Sequence, residues 1–476
     1  MRWWMVLGLW LLATYSATAW ATNPGFAARI TNKGLDYAQK LGIQALQKEL
    51  SKIKVPDLHG SKRIRFLGRV SYDGYRINVR SFHLPTSAIT LVPGVGLRIS
   101  ISNAYIHLNG RWRVRARFVR DRGSFDVKIQ GVSISLVLKL GSDRTERPTV
   151  SPSDCRSSIS NVNLKIRGRF RFLYRLFRKH INKAVRKAME KQICPVVVNT
   201  INRRLPPILH TLPVNTKIDR FAAIDYSLVG PPLATAEALD VHFKGQFLDV
   251  TGNTKISIAP PPLQFPVDHS HMLSFGVSEY FFNTAGIIYK GAGALVFDLT
   301  DKMIPKNYKI RLSTSSIGII IPKVQKMYPN RPVMMRVAAD TAPFVTISPG
   351  KFTVTATCNI ETSAILPNKS LARLFVLHVG TTISAKIGVR NKKLVGSLSL
   401  DSIRLNLKHS DVGFFHVKSI EETVRFFITY VIVPYVNGIL ANGFPLPVLD
   451  NIRLNDVVVE PKQHYLLLAV TVVYGA

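Results

Sequence analysis

The sequence predicts an α+β protein made of two similar halves joined by a stiff linker. Two long segments with helical periodicity, residues 170–205 and 419–440, each follow a series of strand-like segments, although no sequence repeat is visible. Between the halves, residues 257–266 contain four prolines, which favour an extended chain. We therefore expect a signal peptide at 1–21, an N-terminal domain at 22–256, a proline-rich linker at 257–266 and a C-terminal domain at 267–476.

The first 21 residues have the features of a secretory signal peptide. Arg2 supplies a positive charge, residues 3–12 are apolar, and Ala19-Trp20-Ala21 places small residues at a cleavage site. The apolar run is short for a membrane span, so removal of the peptide rather than anchoring is expected. The mature protein is therefore expected to be secreted, either to the extracellular space or into a secretory granule.

After the signal peptide, the chain up to Pro56 has an approximately helical repeat of apolar residues and predicts a first helix. The apolar positions are Ile30, Leu41, Leu46, Leu50 and Ile53, and lysines lie between them. A long run of strands is predicted to follow.

Alternating residues on both sides of Asn109-Gly110 predict a β-hairpin. Apolar and polar side chains alternate over 99–108 and again over 111–118, and Asn-Gly is a strong signal for a two-residue turn. Such a turn sets Leu108 opposite Arg111, so that one face is apolar and the other carries arginines. The apolar face is expected to comprise Ile101, Tyr105, Trp112, Val114 and Phe118.

A second turn, at residues 120–123, is expected to lead into a strand that bends at Gly131. The apolar positions are odd-numbered before this glycine and even-numbered after it. One extra residue in a strand shifts the alternation in this way, so we expect a β-bulge at Gly131. Long, bent antiparallel strands are typical of a highly curved sheet or barrel.

The two long helical segments are amphipathic. In residues 170–205, apolar side chains form one stripe while arginines and lysines cover much of the rest, and Pro195 is expected to kink the helix. In residues 419–440, the apolar run 426–433 is followed by Pro434. We expect this proline to interrupt the run, which would prevent it from crossing a bilayer.

Charge is the most unusual property of the sequence. Lysine and arginine number 64 against 28 acidic residues, and residues 1–250 alone carry 41 basic and 15 acidic residues. A field this positive favours an anionic partner, such as a phosphorylated glycolipid, an anionic membrane, nucleic acid or a sulfated polysaccharide. The basic residues form three clusters: Lys62, Arg63, Arg65 and Arg69; Arg111, Arg113, Arg115, Arg117, Arg120 and Arg122; and Lys165, Arg167, Arg169 and Arg171.

A charged strand face can also be simply solvated, where it discourages pairing at the edge of a sheet. That explanation would suffice for one strand. Three clusters of the same sign in one half, with few acidic residues nearby in the sequence, would repel one another without an anionic partner. We therefore favour a binding role for these residues.

In an oxidising compartment, the cysteines are expected to form a disulfide rather than a catalytic or metal site. Of Cys155, Cys194 and Cys358, two are expected to pair and one to remain free, and their spacing does not choose the pair. Asn368 begins a glycosylation sequon, so its side chain should lie on the surface. The sequence has no Cys/His cluster with metal-ligand spacing, no P-loop and no G-x-S-x-G motif, so neither a metal cofactor nor an enzyme is expected.

Nine short segments, in order over the whole mature chain, carry a resemblance. They are residues 33–38, 45–50, 92–97, 100–104, 212–214, 216–219, 280–286, 303–306 and 443–447. Together they resemble the family of bactericidal permeability-increasing protein and lipopolysaccharide-binding protein. The resemblance implies an elongated boomerang of two similar twisted-barrel domains, each with a long amphipathic helix, joined by a central antiparallel sheet. It also implies a disulfide between Cys155 and Cys194, with Cys358 free.

The resemblance further implies a secreted antibacterial protein of innate immunity that binds lipopolysaccharide, through its lipid A, on Gram-negative bacteria. The family site is the tip of the first domain, and Lys62, Arg65, Arg111 and Arg113 match its basic positions. An apolar pocket under each barrel would hold one phospholipid. The expected partners are lipopolysaccharide, phospholipid and the bacterial outer membrane surface, and the protein is expected to act as a monomer.

Residues lining an apolar pocket are expected on the first long helix. Burial of a methylene contributes about 0.8 kcal/mol, so acyl chains held by a soluble carrier need an apolar enclosure. The candidates are Leu176, Val185, Ala188 and Met189, although ordinary core packing would explain the same stripe.

Two other classes of binding protein are the alternatives. An extracellular phospholipid-transfer protein without an antibacterial role would depend on its pocket more than on its charge, and a near-neutral tip would have favoured it. A nucleic-acid or heparin binder would interleave its basic residues with exposed aromatic residues or carry a known motif, and we find neither in the sequence.

Overall fold

A computed structural model of the chain describes residues 23–65, 68–169, 171–267, 270–304, 306, 308 and 310–475. The predicted signal peptide, residues 1–21, lies outside these residues. The helices are α1 (Asn32–Leu50), α2 (Arg171–Leu209), α3 (Glu279–Gly291), α4 (Thr314–Gly318), α5 (Pro322–Met327) and α6 (Val417–Leu440), with a 3₁₀ helix at Asp301–Met303.

In the described residues, 22 strands form four antiparallel sheets. The strands of the first half are β1 (Phe26–Thr31), β2 (Leu58–Ile64), β3 (Gly68–His83), β4 (Thr86–Val92), β5 (Gly96–Arg115), β6 (Arg120–Ser142), β7 (Pro148–Arg167), β8 (Asn215–Lys217), β9 (Ala222–Asp225), β10 (Leu233–Ala234), β11 (Ala238–Phe243) and β12 (Gln246–Asp249). Those of the second half are β13 (Leu273–Ser278), β14 (Val296–Thr300), β15 (Val333–Ala339), β16 (Phe344–Ser348), β17 (Lys351–Ile365), β18 (Leu371–Arg390), β19 (Lys393–Ser410), β20 (Phe444–Pro445), β21 (Ile452–Lys462) and β22 (Tyr465–Tyr474).

Each half builds one curled sheet around its own apolar core. The N-terminal sheet has the strand order β2-β3-β5-β6-β7, with β4 paired to β5, and α2 packs against β7. The C-terminal sheet has the order β14-β15-β17-β18-β19-β20, with β16 paired to β17, and α6 packs against β19. A small sheet of β12, β9 and β8 completes the first half.

The central sheet mixes strands from both halves, in the order β10-β11-β1-β13-β22-β21. Phe26 of β1 is opposite Phe243 on one side and Val277 on the other, and it belongs to a third apolar core. The proline-rich residues 257–266 form no helix or strand, and the carbonyl of Gln264 accepts a hydrogen bond from the hydroxyl of Tyr465 on β22. Leu263 lies so close to Gly276 that a β-carbon there would come within 2.6 Å of it.

The hairpin predicted at Asn109-Gly110 is wrong. These residues lie inside β5, a continuous strand of 20 residues that pairs with β3 and β6. Gly110 is buried, and a β-carbon there would come within 2.4 Å of the Phe125 ring, so the glycine provides space rather than a turn. The chain turns instead at Arg117-Phe118, between Ala116 and Val119, which exchange two backbone hydrogen bonds.

The alternation predicted for β5 is present, but its apolar face has different members. Trp112 and Val114 are buried and the arginines beside them are exposed, as expected. An irregularity in the pairing just after the buried Ile101 shifts the alternation, so Tyr105 is only half-buried. Phe118 does not belong to the apolar face, because it lies in the turn and is 79% exposed.

The bend predicted at Gly131 is present. Gly131 has a φ of +62°, and the buried positions of β6 are odd-numbered up to Ile129 and even-numbered from Val132. The turn predicted at residues 120–123 is wrong. These residues already belong to β6, where Arg120 is opposite Arg115 of β5.

The first two helices lie where the sequence predicted them, with different ends. Ile30 belongs to β1, and α1 begins at Asn32, where the hydroxyl of Thr31 accepts a hydrogen bond from the backbone of Gly34. Helix α2 continues to Leu209. The predicted disulfide is present: it joins Cys155 on β7 to Cys194 on α2, with the Cα atoms 5.8 Å apart.

The interruption predicted at Pro434 is wrong, because α6 continues through it. The segment Ile428–Ile432, just before the proline, has π-helical hydrogen bonding. A π-turn changes which carbonyls are paired, and so it accommodates the missing N–H and the ring of a proline inside a helix. Local propensity is overridden here by the packing of α6 on the C-terminal core.

Candidate functional site

The second basic cluster is spread over two paired strands and the turn between them. In β5, Arg111, Arg113 and Arg115 are exposed. Backbone pairing sets Arg113 opposite Arg122 and Arg115 opposite Arg120 on β6. The side chains therefore form cross-strand pairs on one outer face of the sheet, and Arg117 extends this set into the turn.

The first basic cluster lies at the same end of the sheet. Arg63 of β2 is opposite Arg69 of β3, and β3 continues along β5 beside Arg115. The β2–β3 turn and the β5–β6 turn are therefore neighbours. Arg65 is exposed in the β2–β3 turn, whereas Lys62 alternates to the other side of β2.

The third basic cluster joins this face in part. Lys165 on β7 is opposite Asp126 on β6, and the guanidinium of Arg167 lies 3.8 Å from the same carboxylate. Arg169 is exposed in the bend after β7, and the side chain of Arg171 lies outside what the structure describes. We use the name cationic face for the exposed residues Arg63, Arg65, Arg69, Arg111, Arg113, Arg115, Arg117, Arg120, Arg122, Lys165 and Arg167.

Acidic side chains interrupt the cationic face, which sequence reasoning did not predict. Asp73 of β3 accepts hydrogen bonds from His59 over 2.8 Å and from Arg113 over 2.6 Å. These two hydrogen bonds hold the pKa of Asp73 below its ordinary value, and the Asp73 carboxylate raises the pKa of Arg113. The face is therefore a positive surface with fixed anionic points, Asp73 and Asp126, rather than an uninterrupted row of cations.

An apolar cavity lies beneath the cationic face, between the N-terminal sheet and α2. The empty space there amounts to about 700 Å³ when its opening to solvent is included. Two residues of the face above, Asp73 and Arg113, also belong to its lining. Most of the lining is apolar and includes Tyr72, Trp112, Phe125, Leu164, Ile181 and Val185.

The predicted pocket residues divide between this cavity and the solid core. Val185 lines the cavity, Met189 is fully buried in the core, and Ala188 is half-buried outside the lining. The side chain of Leu176 lies outside what the structure describes. Sequence reasoning did not assign Trp112 and Phe125 to a pocket, although their alternation with polar residues already indicated that they face inwards.

The C-terminal half contains a second cavity, whose lining residues were not identified from the sequence. It lies between the C-terminal sheet, α4 and α6, and its empty space amounts to about 990 Å³ when the opening to solvent is included. Arg311 belongs to its lining and is paired with Asp301 over 2.6 Å. The apolar lining includes Leu312, Ile317, Ile320, Phe375, Val424 and Phe427. Alternation and helical periodicity are the same for a cavity wall and for a packed core, so no sequence signal marked these residues.

The remaining candidate residues are not arranged for catalysis. Asn368 is exposed in the turn between β17 and β18, as expected for a sequon. Cys358 is free, and burial raises the pKa of its thiol to about 11, so the thiol stays protonated at neutral pH. Within the part of the chain that the structure describes, there is no group of three or more His, Cys, Asp or Glu side chains able to hold a metal ion.

Helix α6 is the one helix, among the described residues, that is long and apolar enough to cross a membrane by length and composition. The core helix of a soluble protein meets the same criterion. Val424, Phe427, Ile428 and Val431 of α6 are buried in the C-terminal core. Length and composition alone therefore do not make α6 a membrane span.

Two domain profiles of one protein family match the two halves of the chain. The profile described as the N-terminal domain of the LBP / BPI / CETP family matches residues 34–208, and the profile of the C-terminal domain matches residues 216–474. Together these matches include the cationic face and the lining of both cavities.

Individual relatives are similar over almost the whole length. Lipopolysaccharide-binding protein from Homo sapiens is 39% identical, covering 98% of this chain and 96% of that protein. Bactericidal permeability-increasing protein from Sebastes schlegelii is 37% identical, covering 98% and 99%. A crystal structure of lipopolysaccharide binding protein has a TM-score of 0.67 and 36% identity, covering 95% of this chain and 99% of that one. This similarity confirms the fold class that the sequence predicted.

Proposed function

Because the chain belongs to the LBP / BPI / CETP family of lipid-binding and lipid-transfer proteins, which are not enzymes, we propose that it binds lipopolysaccharide. The phosphates of lipid A contact the cationic face, and acyl chains enter the cavity beneath it. The protein acts in innate immunity, as a secreted monomer at the outer membrane surface of Gram-negative bacteria. The names of relatives that are 37–39% identical, lipopolysaccharide-binding protein and bactericidal permeability-increasing protein, support this proposal.

The observation that carries the proposal is the position of Arg113. It belongs to the cationic face, and it also belongs to the lining of the apolar cavity below. Lipopolysaccharide carries phosphates on a sugar backbone directly above several acyl chains. A ligand of this kind needs cations and an apolar enclosure side by side, and Arg113 lies where the two adjoin.

Charge and cavity make different contributions to binding. A basic residue near an anionic membrane contributes about 1 kcal/mol, which salt screens, and a guanidinium offers a fork that matches phosphate oxygens. Burial of acyl methylenes contributes about 0.8 kcal/mol each and depends little on salt. The cationic face therefore governs encounter and orientation, and the cavity retains the lipid when salt is high.

We also propose that each half holds one phospholipid in its cavity. One cavity lies between the N-terminal sheet and α2, and the other lies between the C-terminal sheet, α4 and α6. Both linings are predominantly apolar, as an acyl chain requires.

Extracellular phospholipid transfer without an antibacterial role is the second candidate function. Two apolar cavities in one chain favour it. A zwitterionic lipid carries no net charge, however, and would not require the cationic face. The charge of the first half therefore favours lipopolysaccharide.

The test uses the full chain. Mass spectrometry of the co-purified lipid identifies what fills the cavities, and titration with lipid A and with phosphatidylcholine compares the two ligands. We expect tighter binding of lipid A, with an affinity that falls as salt rises. Equal, salt-independent affinities would favour the transfer function, and an absence of lipid A binding would contradict the proposal.

Processing can be tested on the same material. Secretion from expressing cells, with Thr22 as the first residue and a glycan on Asn368, is the expected result. Retention of residues 1–21 in the secreted protein would contradict the signal peptide.

A further inference from the structure

The turn between β5 and β6 presents a phenylalanine to solvent. Phe118 is 79% exposed in a two-residue turn, closed by hydrogen bonds of 2.7 and 3.4 Å between Ala116 and Val119. Neither Arg117 nor Phe118 has a positive φ, so the backbone of this turn selects no particular residue type. A bulky apolar side chain here is not explained by the needs of the backbone or of the core.

One arginine contacts this side chain, and others lie at the same end of the sheet. The guanidinium of Arg117 lies 5.3 Å from the centre of the Phe118 ring, and Arg115 and Arg120 are paired directly below the turn. Arg69 lies on the neighbouring hairpin at the same end of the sheet. An apolar side chain at the end of a positively charged face is suited to the boundary between anionic headgroups and hydrocarbon.

We propose that Phe118 inserts into the hydrocarbon layer of an anionic lipid membrane while the neighbouring arginines contact its headgroups. That this anionic membrane is the bacterial outer membrane rests on the proposed function. The inference goes further by assigning the β5–β6 turn to a continuous lipid surface rather than to a single lipid molecule.

Insertion can be observed directly with an introduced tryptophan. Trp112 is 9% exposed and is the only tryptophan after residue 21, so the wild-type chain supplies the background signal for Phe118→Trp. Vesicles of phosphatidylcholine with one quarter phosphatidylglycerol, brominated on their acyl chains, are added to the full-length protein. We expect the introduced indole to be quenched and its emission to shift to shorter wavelength.

Two results of this experiment would overturn the inference. One is an introduced indole that stays in water while the protein cosediments with the vesicles. The other is a wild-type protein that does not bind the vesicles at all.

Affinity supplies a second measurement. Phe118→Ser should lower the affinity for the same vesicles by about 10- to 100-fold, which is the effect of losing one buried phenylalanine. Phe414 is 83% exposed in the C-terminal half and lies outside the cationic face, so Phe414→Ser is a matched control that should change little. An equal loss in both variants would contradict a specific role for Phe118.

Failure of the inference and failure of the proposed function give different results. If wild-type protein binds lipopolysaccharide while the indole stays in water, the inference is wrong and the proposed function stands. If the indole inserts but lipopolysaccharide does not bind, the proposed function is wrong and the inference stands.

Discussion

Arg113 donates a hydrogen bond from Nε to Asp73 over 2.6 Å, and the other oxygen of that carboxylate lies 2.8 Å from Nδ1 of His59. An acidic residue thus holds one arginine of the cationic face in position. The side chains of Arg113 and Asp73 are 48% and 22% exposed, so water and salt screen their attraction. A phosphate bound at this point competes with Asp73 for the guanidinium.

Asp73→Asn should therefore strengthen lipopolysaccharide binding by about fivefold at low ionic strength, the effect of removing one repulsive charge near an anionic surface. Asp298→Asn is the matched control. It removes the same charge from an ion pair in the C-terminal half, in which Nε of Arg336 lies 2.8 Å from the carboxylate of Asp298. Affinity measured by titration compares the two variants. Weaker binding of Asp73→Asn than of the control would mean that Arg113 needs the acid for its orientation.

The same pair predicts acid-sensitive stability. The pKa of Asp73 in the folded protein is lowered, by the hydrogen bond from His59 first and by that from Arg113 second. Its contribution to stability is therefore complete above the ordinary carboxyl pKa of about 3.9 and is lost as pH falls through the lowered value. Calorimetry should show the Tm of Asp73→Asn below that of the wild type at neutral pH, with a gap that narrows below about pH 4. A difference in Tm that does not change with pH would contradict the lowered pKa of Asp73 as the cause.

Changing Arg111, Arg113, Arg115 and Arg117 to serine should abolish most salt-sensitive binding of lipopolysaccharide without unfolding the protein, since Trp112 remains buried. Phosphatidylcholine binding should barely change. At high salt the affinity of the wild type for lipopolysaccharide should approach that of the variant, because salt screens the same attraction that the substitutions remove. A control with the same charge change replaces four exposed residues of the second half, Lys351, Lys386, Arg404 and Arg453. If the arginine variant binds lipopolysaccharide at low salt as tightly as the wild type does, these arginines form a solvated strand face and not a binding site.

Removing the disulfide by Cys155→Ser with Cys194→Ser should lower the free energy of unfolding by up to about 4 kcal/mol, because the two cysteines are 39 positions apart and close a long loop. Cys358→Ser, which breaks no bond, should cost clearly less. Denaturant unfolding of both variants checks this. Wild-type stability in the double variant would show that the bond does not constrain the unfolded chain.

Gly110→Ala should destabilise the protein by about 1–3 kcal/mol, the usual cost of overpacking a core. The new β-carbon would lie 2.4 Å from the Phe125 ring. Gly388→Ala, in β18, is the control, because the nearest atom to its β-carbon is 3.9 Å away. If alanine is tolerated equally at both positions, the close packing of β5 on Phe125 is contradicted.

Patterns extending over many residues predicted this fold better than single turn signals did. At Gly131 the apolar alternation itself changes phase, and the bulge is present. At Asn109-Gly110, a hairpin and one long strand both expose the same arginines, so the local pattern did not distinguish them. Contact of Gly110 with Phe125, a residue distant in sequence, decides between the two. The break predicted at Pro434 is absent for a similar reason, because the packing of α6 on the C-terminal core outweighs the tendency of proline to end a helix.

The candidate site was predictable in composition but not in arrangement. The basic clusters are visible in the sequence, whereas the pairing of Arg113 with Arg122 and with Asp73 depends on strand register. Val185 and Met189 lie on one stripe of α2, yet one lines a cavity and the other is packed in the core. Neighbouring strands create that difference, and helical periodicity carries no information about them.

The place of β1 in the central sheet has a consequence for biosynthesis. β1 pairs with β11 and β13, and β13 in turn pairs with β22, near the last residue of the sequence. At about 5–20 residues per second, the roughly 190 residues between β13 and β22 take about 10–40 s to leave the ribosome. During that interval the nascent chain displays an open strand edge, which is a template for intermolecular pairing. A chain truncated before Tyr465 lacks the partner of β13 and therefore keeps that edge open.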